Sequence, residues 1–162
     1  MLKPNNIAVA VAMVFVLAVT IGCGKSKTKK QSSVSVTSTS DWVEYGTTHD
    51  GGVLLYDKAH IKNQPGNIFQ VWTKYIFSDE SRGKFMKGLI KTGPLTENWE
   101  GLSQMTYLNE IDCKKRMSRY LSKTFYDKNY KIIVHVPFNK PDWKQINPES
   151  HINNLRKIIC SP

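Results

Sequence analysis

The sequence predicts an α+β fold: an antiparallel sheet of about six strands, a C-terminal helix packed on it, and a short helical insertion in the middle. Three observations carry this. The first and last thirds of residues 42–162 are β-rich runs separated by turn signals. The C-terminal stretch opens with a helix-start signal, Asn147-Pro148-Glu149, followed by apolar residues at intervals of three and four. A third stretch, Ser78–Ser103, places Phe85, Met86, Leu89 and Ile90 at helical spacing.

The elements follow in order. Trp42–Thr47 and Val53–Asp57 flank the turn His49-Asp50-Gly51-Gly52, which reads as a hairpin. Gln64-Pro65-Gly66-Asn67 is a second turn signal. Ile68–Phe77 is apolar on both parities, as expected of a central strand covered on both faces. Asp79 is expected to cap the middle helix, with Glu80 in its first turn, and Gly93-Pro94 to stop it. Leu95, Trp99 and Leu102 extend that region as a further turn or an ordered loop. From Met105 to Lys114, apolar and polar residues alternate, the pattern of a half-buried antiparallel strand. Tyr120–Tyr126 and Tyr130–Val136 flank the turn Asp127-Lys128-Asn129, and Pro137–Gln145 is a loop carrying Trp143. The final helix, Asn147–Cys160, is expected to bury Ile152, Leu155 and Ile159 and to leave Ile158 less covered, because each residue turns the helix by about 100°.

Ahead of this domain lies an address. Residues 7–21 are uncharged and follow Lys3, the layout of a secretory signal. As a helix the run spans about 22 Å. A hydrocarbon core needs about 30 Å, so it is short for a permanent span. The following Thr20-Ile21-Gly22-Cys23-Gly24 resembles the lipobox of bacterial lipoproteins. That resemblance implies cleavage before Cys23, acylation of Cys23, and, with Gly24 after it, an outer-membrane destination in a cell that has one. Residues 1–22 are thus read as a lipoprotein signal peptide and 23–41 as the lipidated Cys and a flexible tether. The tether is rich in Ser, Thr and Lys and lacks aromatics, so it cannot bury enough surface to fold. The expected protein is exported, palmitate-labelled and membrane-held through its lipid.

The chain has 162 residues, a net charge of +10 and three Cys, which excludes a disulfide-dense mini-scaffold and a four-cysteine zinc site. All four Trp and all seven Tyr lie in 42–162. With Cys23 lipidated, Cys113 and Cys160 remain; in an exported chain they read as one disulfide, with two buried thiols as the alternative. His49, His60, His135 and His151 have no metal-ligand spacing. There is no Gly-rich phosphate loop and no nucleophile elbow, so neither an enzyme nor a cofactor is expected. Nucleic acid is a poor partner for an exported protein. Lys114, Arg116 and Arg119 belong to the densest basic cluster. They read either as a strand face for anionic glycans, lipid headgroups or phosphates, or as a solvated edge that resists pairing.

Val71-Trp72-Thr73-Lys74, Glu110-Ile111-Asp112-Cys113-Lys114, Arg119, Tyr126-Asp127, Trp143, and Ile146-Asn147-Pro148-Glu149-Ser150 ahead of Cys160 carry a further likeness. Over residues 42–162 the chain resembles the surface-adhesin protein E-like family. The resemblance implies a sheet packed with a C-terminal helix, a disulfide joining strand to helix, and lipid anchoring in the outer membrane. The family's namesake is a dimeric adhesin for host matrix and plasma proteins. The candidate partners are therefore a membrane, a protein or glycan ligand at the cell surface, and a second copy of the chain. Two function classes stand beside each other: a binding surface, and a structural envelope lipoprotein. Exposure of Trp42, Trp72 or Trp143 would favour the first, and burial of every Trp the second.

Overall fold

The computed structural model of the chain describes residues 40–92 and 99–161. The apolar run, Cys23, tether residues 24–39, Gly93-Pro94 and Leu95 lie outside the described residues.

The chain forms strands β1 (Trp42–Thr47), β2 (Val53–Asp57), β3 (Lys62–Gln64) and β4 (Ile68–Ile76), then helix α1 (Asp79–Thr92). Strands β5 (Leu102–Asp112), β6 (Met117–Asp127), β7 (Ile132–Pro137) and β8 (Lys144–Gln145) follow, and helix α2 (His151–Ile159) ends it. All pairings are antiparallel. The sheet runs β1-β2-β4-β5-β6-β7, with β3 added to β4 and β8 to β6. The expected α+β architecture is the observed one.

Turn chemistry sets the hairpins. Gly51 adopts φ 79°, a left-handed conformation that favours glycine. Next to it the Tyr75 ring covers Gly52 so closely that a Cβ there would meet the phenol oxygen at 2.1 Å. Only glycine fits beneath that ring.

Both helices pack on one face of the sheet, over separate apolar clusters. Tyr56, Val71, Ile111 and Ile146 join Leu155 and Ile159 of α2 in the first, with Ile152 against them. Tyr75, Phe77, Trp99, Leu102 and Phe125 form the second, covered by Phe85, Met86 and Leu89 of α1. Ile158 is exposed, as its helical angle requires.

Four details differ from the sequence expectation. The α1 cap is Ser78, whose Oγ accepts from Ser81 N at 3.0 Å while its carbonyl accepts from Arg82 N. Ser78 also donates to the carbonyl of Asp50, tying α1 to the first hairpin. Ile90 points to solvent. Strand β4 is covered fully on one face only: Val71, Thr73 and Tyr75 are buried, while Trp72 and Lys74 are half-buried and Ile76 exposed. Helix α2 begins at His151, because Asn147 and Pro148 are held in a preceding turn: Asn147 Oδ1 accepts from Glu149 N at 3.0 Å, and Asn153 Nδ2 donates to Pro148 O at 2.7 Å.

Candidate binding clefts

Between the two clusters the helix-bearing face leaves a cleft of about 260 Å³. Tyr45 of β1, Tyr75 of β4, Tyr107 of β5 and Tyr120 of β6 line it, together with His151 and Ile152 of α2. Its floor is polar: Asn109 Nδ2 donates to Thr73 Oγ1 at 2.8 Å, and both residues are buried. Tyr107 and Tyr120 meet because β6 carries a bulge. Leu108 pairs with Ser122 but Asn109 with Tyr120, so Leu121 is the extra residue. The bulge turns Tyr120 onto the same face as Tyr107, and the two rings lie 5.0 Å apart. Tyr75 is held by Thr48, whose Oγ1 lies 3.2 Å from the phenol oxygen.

Burial pushes the Tyr107 phenol from its ordinary 10.0 up to about 12, with Tyr120 nearby adding to the shift. Burial raises Tyr45 and Tyr120 as well. At neutral pH the cleft therefore presents uncharged phenols. A folded-state pKa above the unfolded one adds stability that is complete below the unfolded value and is lost as pH rises through the folded value. For Tyr107 the window runs from 10.0 to about 12. In an alkaline titration, part of the phenolate absorbance is expected to appear late and together with loss of the fold. A single phenolate transition of all seven Tyr at their ordinary pKa, with circular dichroism unchanged, would contradict this burial.

Neither α1 nor α2 packs on the opposite face of the sheet. Around Trp42, Trp72, Thr106 and Tyr126 it forms a second cleft, of about 360 Å³, with Asp57 and His60 at one side. Lys74 Nζ lies 4.0 Å from the centre of a Trp42 ring. Burial lowers the Lys74 pKa, and Asp57 nearby works in the other direction. Asp57 is itself buried and accepts from Asp41 N, Ala59 N and His60 Nδ1. Of the four Trp, only Trp99 is buried; Trp42, Trp72 and Trp143 are half-buried. Three Trp thus keep part of their surface open, between the exposed arrangement that would favour a binding surface and the fully buried one that would favour a structural role.

The cysteine pair is bonded. Cys113 and Cys160 have Cα atoms 5.7 Å apart, within normal disulfide reach. Cys113 opens the β5–β6 turn and Cys160 caps α2, so the bond fastens helix to sheet.

The basic cluster departs from the expected strand face. Lys114 and Arg116 are exposed in the turn between β5 and β6, and Arg116 adopts φ 57°. The reason is Asp112, whose carboxylate accepts from Lys115 N at 2.8 Å and reverses the chain where alternation alone would continue the strand. Arg119 lies apart from them on β6. Its guanidinium donates to Glu110 at 2.7 Å and stacks 4.4 Å from the Trp143 ring centre. Arg119 is thus already paired, and the three residues do not form one face.

Among the described residues, no group of three or more His, Cys, Asp or Glu is placed to hold a metal. His60 pairs with Asp57, and His135 hydrogen-bonds Thr124 Oγ1 at 2.7 Å. The tyrosine cleft was not visible from motifs. Its one sequence signal is that Tyr107 falls on the apolar parity of β5.

The profile of the Surface-adhesin protein E family matches residues 42–161. No curated protein sequence matches the chain. Among solved structures, crystal form II of Haemophilus influenzae protein E is similar at 14% sequence identity, covering 66% of this chain and 79% of that one, with a TM-score of 0.46. The family match runs from the first residue of β1 to the residue after Cys160, and so the chain belongs to the surface-adhesin protein E family.

Proposed function

We propose that this is an exported, lipid-anchored envelope protein that binds a protein ligand at the cell surface through the tyrosine cleft and performs no catalysis. The cleft carries the reading. At about 260 Å³ it is smaller than the ~300–1,000 Å³ of small-molecule sites. It suits one anchoring side chain of a partner, and tyrosine supplies rigid contact area with a polar tip at such interfaces. Family membership supports the adhesin-like role. The disulfide fits an oxidising compartment. The apolar run ending in Gly22-Cys23 supports cleavage after residue 22 and acylation of Cys23, with Gly24 favouring the outer membrane. In this reading 23–41 is the tether and 42–162 the binding domain. Pairing of two copies along β1 or β7 belongs to it too, since among the described residues these strands end the sheet, and an edge strand offers unpaired backbone groups. A second reading, binding to anionic envelope components, draws on Lys114, Lys115 and Arg116, which the turn leaves exposed.

One set of cells tests the proposal. Cells carrying the wild-type chain should show a palmitate-labelled protein and bind immobilised matrix or plasma proteins. Cys23→Ser should lose both label and surface binding. Tyr120→Ala should keep the label and bind about tenfold more weakly, as loss of an interface anchor does. Equal labelling of Cys23→Ser, or equal binding by Tyr120→Ala, would refute the corresponding half.

A further inference from the structure

We propose that the face of the sheet opposite α1 and α2 binds an acidic glycan, a chain of pyranose rings bearing carboxylates, through Trp42, Trp72, Tyr126 and Lys74. This goes beyond the protein-binding role of the tyrosine cleft and rests on a different face.

The aromatic rings divide by face. On the helix side Tyr45, Tyr75, Phe85, Trp99, Tyr107 and Phe125 each pack against another ring. On the open side, among the described residues, Trp42, Trp72 and Tyr126 stack on no other ring, and all three are half-buried. Rings held rigid by a sheet, with faces left unpaired, present the negative side of their quadrupole to whatever arrives. A pyranose ring offers the complement: a face of weakly positive C–H bonds, edged by hydroxyls. Thr106 Oγ1 and the Tyr126 phenol, 3.4 Å apart, supply hydroxyl partners within the same cleft.

The charge selects among sugars. Among the described residues, Lys74 has no carboxylate within ion-pair distance; its ammonium rests on the Trp42 ring instead. The carboxylate beside the cleft, Asp57, is taken up by two backbone N–H groups and His60. Lys62 adds a second cation to the lining. A half-buried ammonium that makes no ion pair of its own gains from an incoming anion. The central strands β4 and β5 are paired on both sides, so a peptide cannot add there as a strand. Recognition on this face falls to side chains, which suits stacked sugar rings. The cleft volume of about 360 Å³ lies within the small-ligand range.

The test titrates the full-length, detergent-solubilised protein with hyaluronan oligosaccharides and, in parallel, with neutral dextran oligosaccharides, reading tryptophan fluorescence. The uronate-bearing probe should give a saturable change, and the neutral one a change at least tenfold weaker. Trp72→Ala should weaken hyaluronan binding at least tenfold, while Trp72→Phe, which keeps a ring, should retain most of it. Lys74→Met should abolish the preference for the acidic probe. Thermal melts establish that each variant is folded, and Tyr120→Ala should bind hyaluronan as wild type does, which separates this site from the tyrosine cleft. Absence of a saturable change overturns the proposal. So does undiminished binding by both Trp72→Ala and Lys74→Met, which would assign the attraction to the basic turn. Loss of protein capture in these variants without any hyaluronan binding would assign the face to a protein and also overturn it.

Discussion

Replacing Cys113 and Cys160 together by Ala is expected to lower the unfolding free energy by about 4 kcal/mol. The bond joins residues 47 apart, and closing a loop of that size removes this much chain entropy from the unfolded state. The double variant leaves neither partner of the bond as an unpaired thiol to complicate the comparison. A domain of this size has a stability of roughly 5–15 kcal/mol, so the change would consume a large share of it. The loss should appear in urea unfolding as a lower midpoint, and the same shift should follow reduction of the wild type. The effect is concentrated at the end of α2, where Cys160 caps the helix, and at the β5–β6 turn, where Cys113 N donates to Asn67 O. A loss under about 1 kcal/mol would mean that packing alone secures the helix.

The second large effect is packing itself. Leu155 is 0% exposed and lies in the cluster with Tyr56, Val71 and Ile111. Leu155→Ala should cost about 2–5 kcal/mol, the sum of lost transfer energy and the cavity left behind. Asn154, one residue earlier, is exposed, and Asn154→Ala should change stability by no more than about 0.5 kcal/mol. Alanine is favourable for helix formation at both positions, so the contrast isolates docking from propensity. Thermal melts in which the two variants behave alike would show that α2 is held by its disulfide alone.

The sheet was legible because its hairpins are marked. Gly51 and Gly66 carry positive φ where the turns were expected, and β1 and β2 fall on the anticipated residues. The buried stripe of α2 was legible for the same kind of reason: Leu155 and Ile159 repeat at helical spacing, and a helix has only one face to bury. What stayed hidden depends on partners distant in sequence. The bulge at Leu121 exists because of how β6 pairs with β5, and no local pattern announces it. Without it Tyr120 would face away from Tyr107, so the tyrosine cleft could not be assembled from spacing. Strand β8 has two residues and forms only because β6 offers Met117 and Ser118 as partners. Strand β5 ends at Asp112, earlier than alternation predicts, because Lys114 and Arg116 continue a polar alternation that the Asp112 side chain interrupts. Asp79 could have capped α1 as well as Ser78 by residue type; the contact of Ser78 with the Asp50 carbonyl favours the earlier residue.

The polar seam of Thr73 and Asn109 divides the interior into two parts that need not open together. One part, under α2, is cross-linked by Cys113–Cys160. The other depends on α1, whose apolar contacts come from Phe85, Met86 and Leu89 and whose Gly83 and Gly88 disfavour the helix by roughly 1 kcal/mol each. Fluctuations that expose backbone amides to solvent exchange therefore cost less on the α1 side, and they leave the cross-linked side closed. Of the two helices, α1 is therefore the one that a protease is expected to cut first. A chain nicked there would still hold β1, β2, β4 and α2 together around the surviving half of the interior.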